Sequence, residues 1–490
     1  MKTRLHLLTG FILGAVLLGS CPETGHWANA QTAPGASQTP KTQTISVNWQ
    51  KNEGAVTARH YGVNLYAAFH EDNIQNQEYR QNLRYMGAGL IRFHHAGKMQ
   101  DSKKEWAGLL DEEKRTWNRE KLQQGLQAIR YLAGTEVVFN IPGFPAWMDT
   151  DKDGFLDKDQ YDAYAKLLAD LVRIVNKEYN FGVRYWEITN ELDSRYYTPF
   201  YKDGGWGPLK DYQTPDRWKE VAFLFNRCAR AMKQVDSTIQ CGGPAAARPD
   251  LMAMHEEFIM RTRPYLDFYS FHAYASGSAE TPDTEIYDRA QGMGNYVAKI
   301  KALLKRNYGE REVPVLLDEF NISWTWETRD PRMTNHKGAV FDALAIVSAI
   351  RGGVYATQSW NEKDGIYGKI APDNSLRPGA HLLRLLTGEM TGERVTAKSP
   401  DEKTVVAYAV RRQNGQSGSV MLINRTATAQ PAVIESAGLP EKAKWSTLHQ
   451  IHEGTPLKTE AFDSGESPTI RQPRTLPPHS VTVLTWQIKP

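Results

Sequence analysis

Between about residue 45 and residue 390, short apolar, β-branched or aromatic runs alternate with longer stretches in which apolar residues recur every three or four positions. The runs fall at 61–66 (YGVNLY), 90–95 (LIRFHH), 136–142 (EVVFNIP), 183–191 (VRYWEITNE), 239–245 (IQCGGPA), 267–274 (DFYSFHAY), 313–320 (VPVLLDEF) and 354–362 (VYATQSWNE). Helical periodicity separates or follows them at 77–86, 118–132, 158–177, 216–235, 249–260, 288–305, 337–350 and 378–386. In the third of these, Tyr164, Leu167, Leu168, Leu171, Val172 and Val175 form one apolar stripe, the face a helix lays on a sheet. Eight such units predict a (β/α)8 TIM barrel. Past about residue 388 the pattern changes to short alternating runs (TVVAYAVRR, SVMLINRT, AVIESA, SVTVLTWQ) broken by Gly, Pro, Asn and Ser. That texture predicts a C-terminal antiparallel β-sandwich, to which TISVNW at 44–49 adds a strand from the N-terminal side.

The first residues place Lys2 and Arg4 before an apolar stretch from about Leu7 to Leu18, the form of a signal peptide and too short for a comfortable membrane span. Two processing routes fit: cleavage after Ala28-Asn29-Ala30, which we favour, or lipidation of Cys21 in the lipobox-like Leu18-Gly19-Ser20-Cys21. The expected organisation is therefore signal peptide 1–30, flexible linker 31–44, barrel 45–390 and β-sandwich 391–490. Export to the periplasm or medium follows, with a lipid anchor if Cys21 is used. No other segment is apolar enough to cross a membrane. A formal net charge of +3 on 490 residues excludes a strongly basic nucleic-acid or membrane-surface field. Aromatic residues make up 10% of the chain at a mean hydropathy of −0.54, a pairing that suits contact with something flat and hydroxylated. Cys228 and Cys241 sit in a disulfide-permissive compartment, but two cysteines form no framework and are expected as separate buried thiols.

Active sites of TIM barrels lie at the C-terminal ends of the strands. Two runs end in acids there, Asn190-Glu191 in the fourth and Asp318-Glu319 in the seventh, on facing sides of the mouth. Paired carboxyl groups across a sugar-sized gap are what glycosidic cleavage requires, one attacking the anomeric carbon while the other donates a proton to the leaving oxygen. A negative charge on Glu319 is expected to raise the pKa of Glu191 and keep it protonated. Strand alternation is expected to send Asp318 to the side opposite Glu319, leaving it a structural acid. Glu187, four residues before Glu191, has the parity of a buried structural residue.

Three segments carry a resemblance. Trp186-Glu187-Ile188-Thr189-Asn190-Glu191, Phe271-His272-Ala273-Tyr274 and Pro314-Val315-Leu316-Leu317-Asp318-Glu319-Phe320 resemble strands four, six and seven of the clan A glycoside hydrolases. With Cys241-Gly242-Gly243-Pro244-Ala245, the chain looks most like family 39, which holds β-xylosidases, α-L-iduronidases and exopolysaccharide glycosidases and joins its barrel to a β-sandwich. One departure is Leu192, where that family usually has Pro. The resemblance implies a retaining β-glycosidase acting by double displacement, with Glu319 as nucleophile and Glu191 as acid/base. Asn190 then binds the sugar 2-hydroxyl, Arg92 supports the nucleophile, His272 and Tyr274 line strand six, and Trp360 floors the sugar subsite.

Tyr196, Tyr197, Phe200, Tyr201, Trp206 and Tyr212 in the loop after the acid, and Trp324 and Trp326 after the nucleophile, are expected to wall further subsites. Asp149, Asp151, Asp153 and Asp157 with Gly154 have the spacing of a calcium loop, although its twelfth position is Gln160 rather than Glu. Catalysis itself needs no cofactor, and the expected partner is an oligo- or polysaccharide. A non-catalytic carbohydrate-binding protein on the same barrel is the alternative.

Overall fold

The computed structural model describes residues 41–69, 73, 75–94, 109–111, 113–132, 135–197, 216–462 and 472–488. The expected leader, Cys21, most of the linker, and Phe200, Tyr201, Trp206 and Tyr212 lie outside them. Eight parallel strands, Gly62–Leu65, Leu90–Phe93, Glu136–Ile141, Tyr185–Ile188, Gln240–Ala246, Phe268–Ser276, Val315–Ser323 and Ala356–Ser359, close into a barrel in chain order. The chain is thus a (β/α)8 barrel followed by a β-rich region.

Helices Gln77–Met86, Arg119–Tyr131, Tyr161–Val172, Asp216–Val235, Met252–Thr262, Asp283–Tyr308, His336–Arg351 and Pro378–Glu389 occupy the stretches marked by periodicity. Their ends follow local chemistry. Gln77–Met86 starts where the Asn76 side chain accepts from the Tyr79 N–H and stops at Gly87, whose φ is +66°. Asp283–Tyr308 is longer at both ends than its apolar stripe, because Asp283 and Glu285 favour its first turn and Lys305 and Arg306 its last. Among the described residues no helix is long and apolar enough to cross a membrane.

The barrel interior is layered, and a period of two builds the layers. Leu90, Val138, Tyr185, Phe268, Leu316 and Ala356 form a closed apolar cluster across the barrel. Two residues further along each strand stand Arg92, Asn140, Glu187, Ser270, Asp318 and Gln358, all fully buried. A charged layer thus rests on an apolar floor, which isolates it from water and strengthens every interaction within it.

Strand Gln43–Val56 pairs antiparallel with Gly392–Lys398 and parallel with Gln430–Ala437, joining the C-terminal strands in one nine-stranded sheet. The sheet folds over itself: Trp49 meets Trp445 at 6.2 Å and Trp486 at 5.2 Å edge-to-face, within a core shared by strands far apart in the sheet order. Arg351 on a barrel helix holds Glu402 of the β region through two 3.0 Å bonds.

Candidate active site

Arg92 is fully buried at the centre of the mouth and every edge of its guanidinium is used. Nε donates to Glu187 at 2.6 Å, Nη1 to Asn64 at 3.0 Å and Glu319 at 2.7 Å, and Nη2 to Asn190 at 2.6 Å. Burial alone would lower its pKa, but the surrounding acids, Glu187 foremost, outweigh that and raise it. Glu187 is fully buried and also accepts from Asn140 at 2.7 Å. Burial opposes its ionisation, yet Arg92 prevails and holds its carboxyl below the usual carboxylate range.

The geometry corrects the expectation for Asp318. Counting by twos from the inward Leu316 gives the inward seat to Asp318, and regular alternation would turn Glu319 away. A bulge changes this: Leu317 pairs with Phe271 and Glu319 with His272, so Asp318 is the extra residue and Glu319 also faces the mouth. Glu319 is 5% exposed, and its second oxygen accepts from the Tyr274 hydroxyl at 2.7 Å. Asp318 lies 3.3 Å from Arg92 Nε and 3.7 Å from His272 Nε2.

Glu191 is aimed by strained backbone. Thr189, Glu191 and Ala245 have φ values of +81°, +52° and +52°, a conformation costing on the order of 1–3 kcal/mol per non-glycine residue unless its surroundings enforce it. The enforcement is visible: Thr189 N–H donates to Ile141 O at 3.0 Å, Glu191 N–H to Ala245 O at 2.9 Å, and the Thr189 hydroxyl to Pro244 O at 3.1 Å. Gly242 beside them cannot be replaced, since a Cβ would lie 2.3 Å from the Phe268 ring. Leu192 has φ −64° and ψ −18° at the start of helix Asp193–Tyr196 and is 7% exposed, so it adopts proline's φ while filling an apolar seat.

His272, fully buried, bonds Glu191 Oε1 through Nδ1 at 2.7 Å and lies 3.4 Å from Glu319 Oε2. Burial lowers its pKa, so it is neutral. The Glu191 side chain is 37% accessible through the mouth, yet the surrounding protein desolvates it enough to push its pKa up to about 7, against the pull of Arg92. The dominant cause is thus burial and not the charge on Glu319 expected from the sequence.

A cleft of about 650 Å³ opens over these groups, lined by Asn190, Glu191, Tyr274 and Glu319 with Trp324, Trp326, Trp360 and Tyr367. Trp360 is half-buried, its ring edge-on to Tyr66 at 5.3 Å and His94 at 5.2 Å. Trp324 and Trp326 are 53% and 57% exposed. Tyr196 and Tyr197 depart from expectation: at 2% and 0% exposure they belong to the core, and the Tyr196 hydroxyl accepts the Leu156 N–H at 2.9 Å.

Sequence reasoning missed Asn64, His94, Asn140, Glu362 and Tyr367. Asn64 and Asn140 are buried amides interrupting apolar strands at the same inward parity as Arg92 and Glu187, and that parity was the signal to find them. Glu362 accepts from Tyr66 N–H at 2.7 Å, Ala67 N–H at 2.6 Å and the Tyr79 hydroxyl at 2.9 Å, fixing the loop that carries Tyr66 against Trp360; burial raises its pKa to about 7. Only the dipeptide Asn361-Glu362 at a strand end hinted at it.

Cys228 and Cys241 are free and buried in a helix and a strand. In the acidic loop, carboxylate oxygens of Asp149, Asp151 and Asp153 lie within 4.8 Å of one another, while Asp157 is engaged by the N–H and hydroxyl of Thr150 at 3.0 and 2.6 Å. Asp149, Asp151 and Asp153 are engaged as well, accepting from the N–H groups of Gly154 at 3.1 Å, Asp153 at 3.1 Å and Phe155 at 2.8 Å. Glu191, His272 and Glu319 also offer ligand atoms within 4.8 Å of one another. Arg92 at 2.7 Å from Glu319 opposes a metal ion there, since its fixed positive charge already neutralises the carboxylate.

Residues 150–364 match the model of the Glycosyl hydrolases family 39. A β-xylosidase of Caldicellulosiruptor saccharolyticus is 23% identical over 323 residues, covering 62% of this chain and 59% of that protein. An intracellular exo-α-(1→5)-L-arabinofuranosidase of Streptomyces lividans is 23% identical over 340 residues, covering 61% of this chain and 47% of that protein. The matches therefore span about half of these curated relatives' length. Among solved structures, the GH39 enzyme from Xanthomonas axonopodis pv. citri superposes with a TM-score of 0.67 at 15% identity, covering 93% of this chain and 100% of that one, which is likeness of fold.

Proposed function

We propose that this clan A glycoside hydrolase, most like family 39, is an exported retaining enzyme that cleaves β-glycosidic bonds in an oligo- or polysaccharide, with Glu319 as nucleophile and Glu191 as acid/base. The observation that carries the reading is the pair itself: Glu191 and Glu319 present oxygens within 4.8 Å of each other in environments of opposite character. Glu319 is held by a guanidinium and a phenol, as an attacking carboxylate needs, while Glu191 is desolvated against neutral His272, as an acid needs. Such closeness favours retention, for which carboxyl groups stand about 5–5.5 Å apart, over inversion at about 6.5–9.5 Å. Xylosidase and arabinofuranosidase names among the relatives favour a pentose at the cleaved position. The leader at residues 1–30 supports export.

In the reaction, Glu319 Oε attacks the anomeric carbon while Glu191 gives its proton to the leaving oxygen; Glu191, now ionised, then takes a proton from the water that releases the sugar. In this reading Asn190, fixed by Arg92, binds the 2-hydroxyl and Trp360, which lines the cleft, stacks on the C–H face of the ring. The test is covalent trapping. Incubation with a 2-fluoroglycoside should add one glycosyl mass to the peptide bearing Glu319; tight sugar binding with no adduct would favour the non-catalytic binder instead.

Since the acid must carry its proton, turnover should be retained below the Glu191 pKa and decline as pH rises through about 7. A kcat/KM profile flat from pH 6 to 9 would contradict this, those limits lying about one unit or more on either side of the titration. A structural calcium ion on Asp149, Asp151 and Asp153 belongs to the same proposal. It predicts a Tm higher by about 2–4 °C in millimolar calcium than in chelator, by mass action on the folded state; coincident melting curves would reject it.

A further inference from the structure

Three carboxyl groups, Glu187, Asp318 and Glu319, surround one guanidinium in the charged layer. The other groups around Asp318 are the neutral His272 and the hydroxyl of Ser270 on strand six, both fully buried, and the amide of Asn64 on strand one, which donates to the Asp318 backbone carbonyl at 2.8 Å. Both Asp318 carboxyl oxygens are buried and accept no hydrogen bond. Arg92 has spent its Nε on Glu187 and Nη1 on Glu319 and Asn64. Three ionised acids against one cation would leave surplus negative charge buried, which proteins avoid by taking up a proton. A proton on Asp318 lets it donate to Glu187, with which both it and Ser270 are in hydrogen-bonding contact.

We propose that Asp318 is a positioning residue, held protonated and donating to Glu187, so that the Arg92 guanidinium is kept for Glu319. This rests on Glu319 being the nucleophile. Burial and the Glu187 charge push the Asp318 carboxyl well above the usual range, whereas Arg92 holds Glu187 low, which assigns the proton to Asp318. The bulge serves the arrangement by seating an acid and a nucleophile side by side in one layer.

A protonated carboxyl is matched by an amide. Asp318→Leu, which cannot donate, should lower kcat/KM by about 30-fold or more and raise the acidic limb of the pH profile, because Glu187 then draws Arg92 from Glu319. Asp318→Asn should restore kcat/KM to within about threefold of wild type with the limb unmoved. If Asp318 were ionised, Asn would instead remove a charge from beside Arg92 and shift the limb downward, which would overturn the proposal. The deciding measurement needs no turnover: infrared difference spectra of wild type minus Asp318→Asn at about pH 8, above the Glu191 titration, should show a protonated-carboxyl C=O band that the variant lacks. An active enzyme without that band refutes the shared proton. An inactive chain that has it refutes the glycosidase reading and leaves the proton in place. If Asp318→Asn fails to fold, Asp318→Glu takes its place in the subtraction, and a band that does not shift between the two proteins overturns the assignment.

Discussion

Glu319→Gln is expected to reduce kcat/KM by on the order of 10⁴-fold or more on every glycoside the wild type hydrolyses. An amide cannot form the glycosyl-enzyme, so the reaction loses the covalent route that divides one difficult step into two easier ones. The substitution should leave the fold intact. Arg92 keeps Glu187 at 2.6 Å, Asn64 at 3.0 Å and Asn190 at 2.6 Å, and the Tyr274 hydroxyl can still donate to the amide oxygen. Circular dichroism and Tm close to wild type are the control, and initial rates on an aryl glycoside the readout. Retention of a tenth of the activity in a folded Glu319→Gln would remove Glu319 from the mechanism, and Asp318, its neighbour in the same layer, would be the next residue to trap.

Glu191→Gln should behave differently, because its role depends on the leaving group. On an unactivated glycoside the loss is expected at about 10²–10⁴-fold, the worth of general acid–base catalysis. On an aryl glycoside whose phenolate departs without help, the first step should survive and the second stall, so that a burst of phenol precedes slow turnover. The alkaline limb near pH 7 should vanish with the group that causes it. In Glu191→Ala, the space vacated beside His272 admits azide, which attacks without a base and should restore turnover while yielding a glycosyl azide of unchanged anomeric configuration. Equal losses on both substrate types, with no burst and no rescue by azide, would mean that Glu191 only positions substrate.

Much of this site was legible in linear form. Glu191, Glu319, Asn190, Arg92, His272 and Tyr274 were picked from strand ends, and the barrel brings them within hydrogen-bonding reach of one another. They were visible because parallel strands buried on both faces are apolar, so a charged or amide residue within them stands out. Asn64 and Asn140 had the same signature but no chemical motif to attract notice. Tyr196 and Tyr197 failed for the opposite reason: aromatic residues in a connecting segment look alike whether they face solvent or core, and the choice depends on Leu156 and Phe155, about forty residues upstream.

By itself the sequence determined the eight strand-helix units, their order, and the two strand ends that carry acids, since hydrophobic period and chain connectivity are local properties. Only the tertiary structure decided the environment each acid meets. Whether Asp318 or Glu319 faces the cleft turned on a bulge, which is a matter of register with strand six and invisible in one strand alone. The raised pKa of Glu191 turned on how much protein surrounds it, and the crowding of Asp318 on three strands that bring three acids to a single guanidinium. Register, desolvation and shared charge are sums over neighbours distant in the chain, so no reading of adjacent residues contains them.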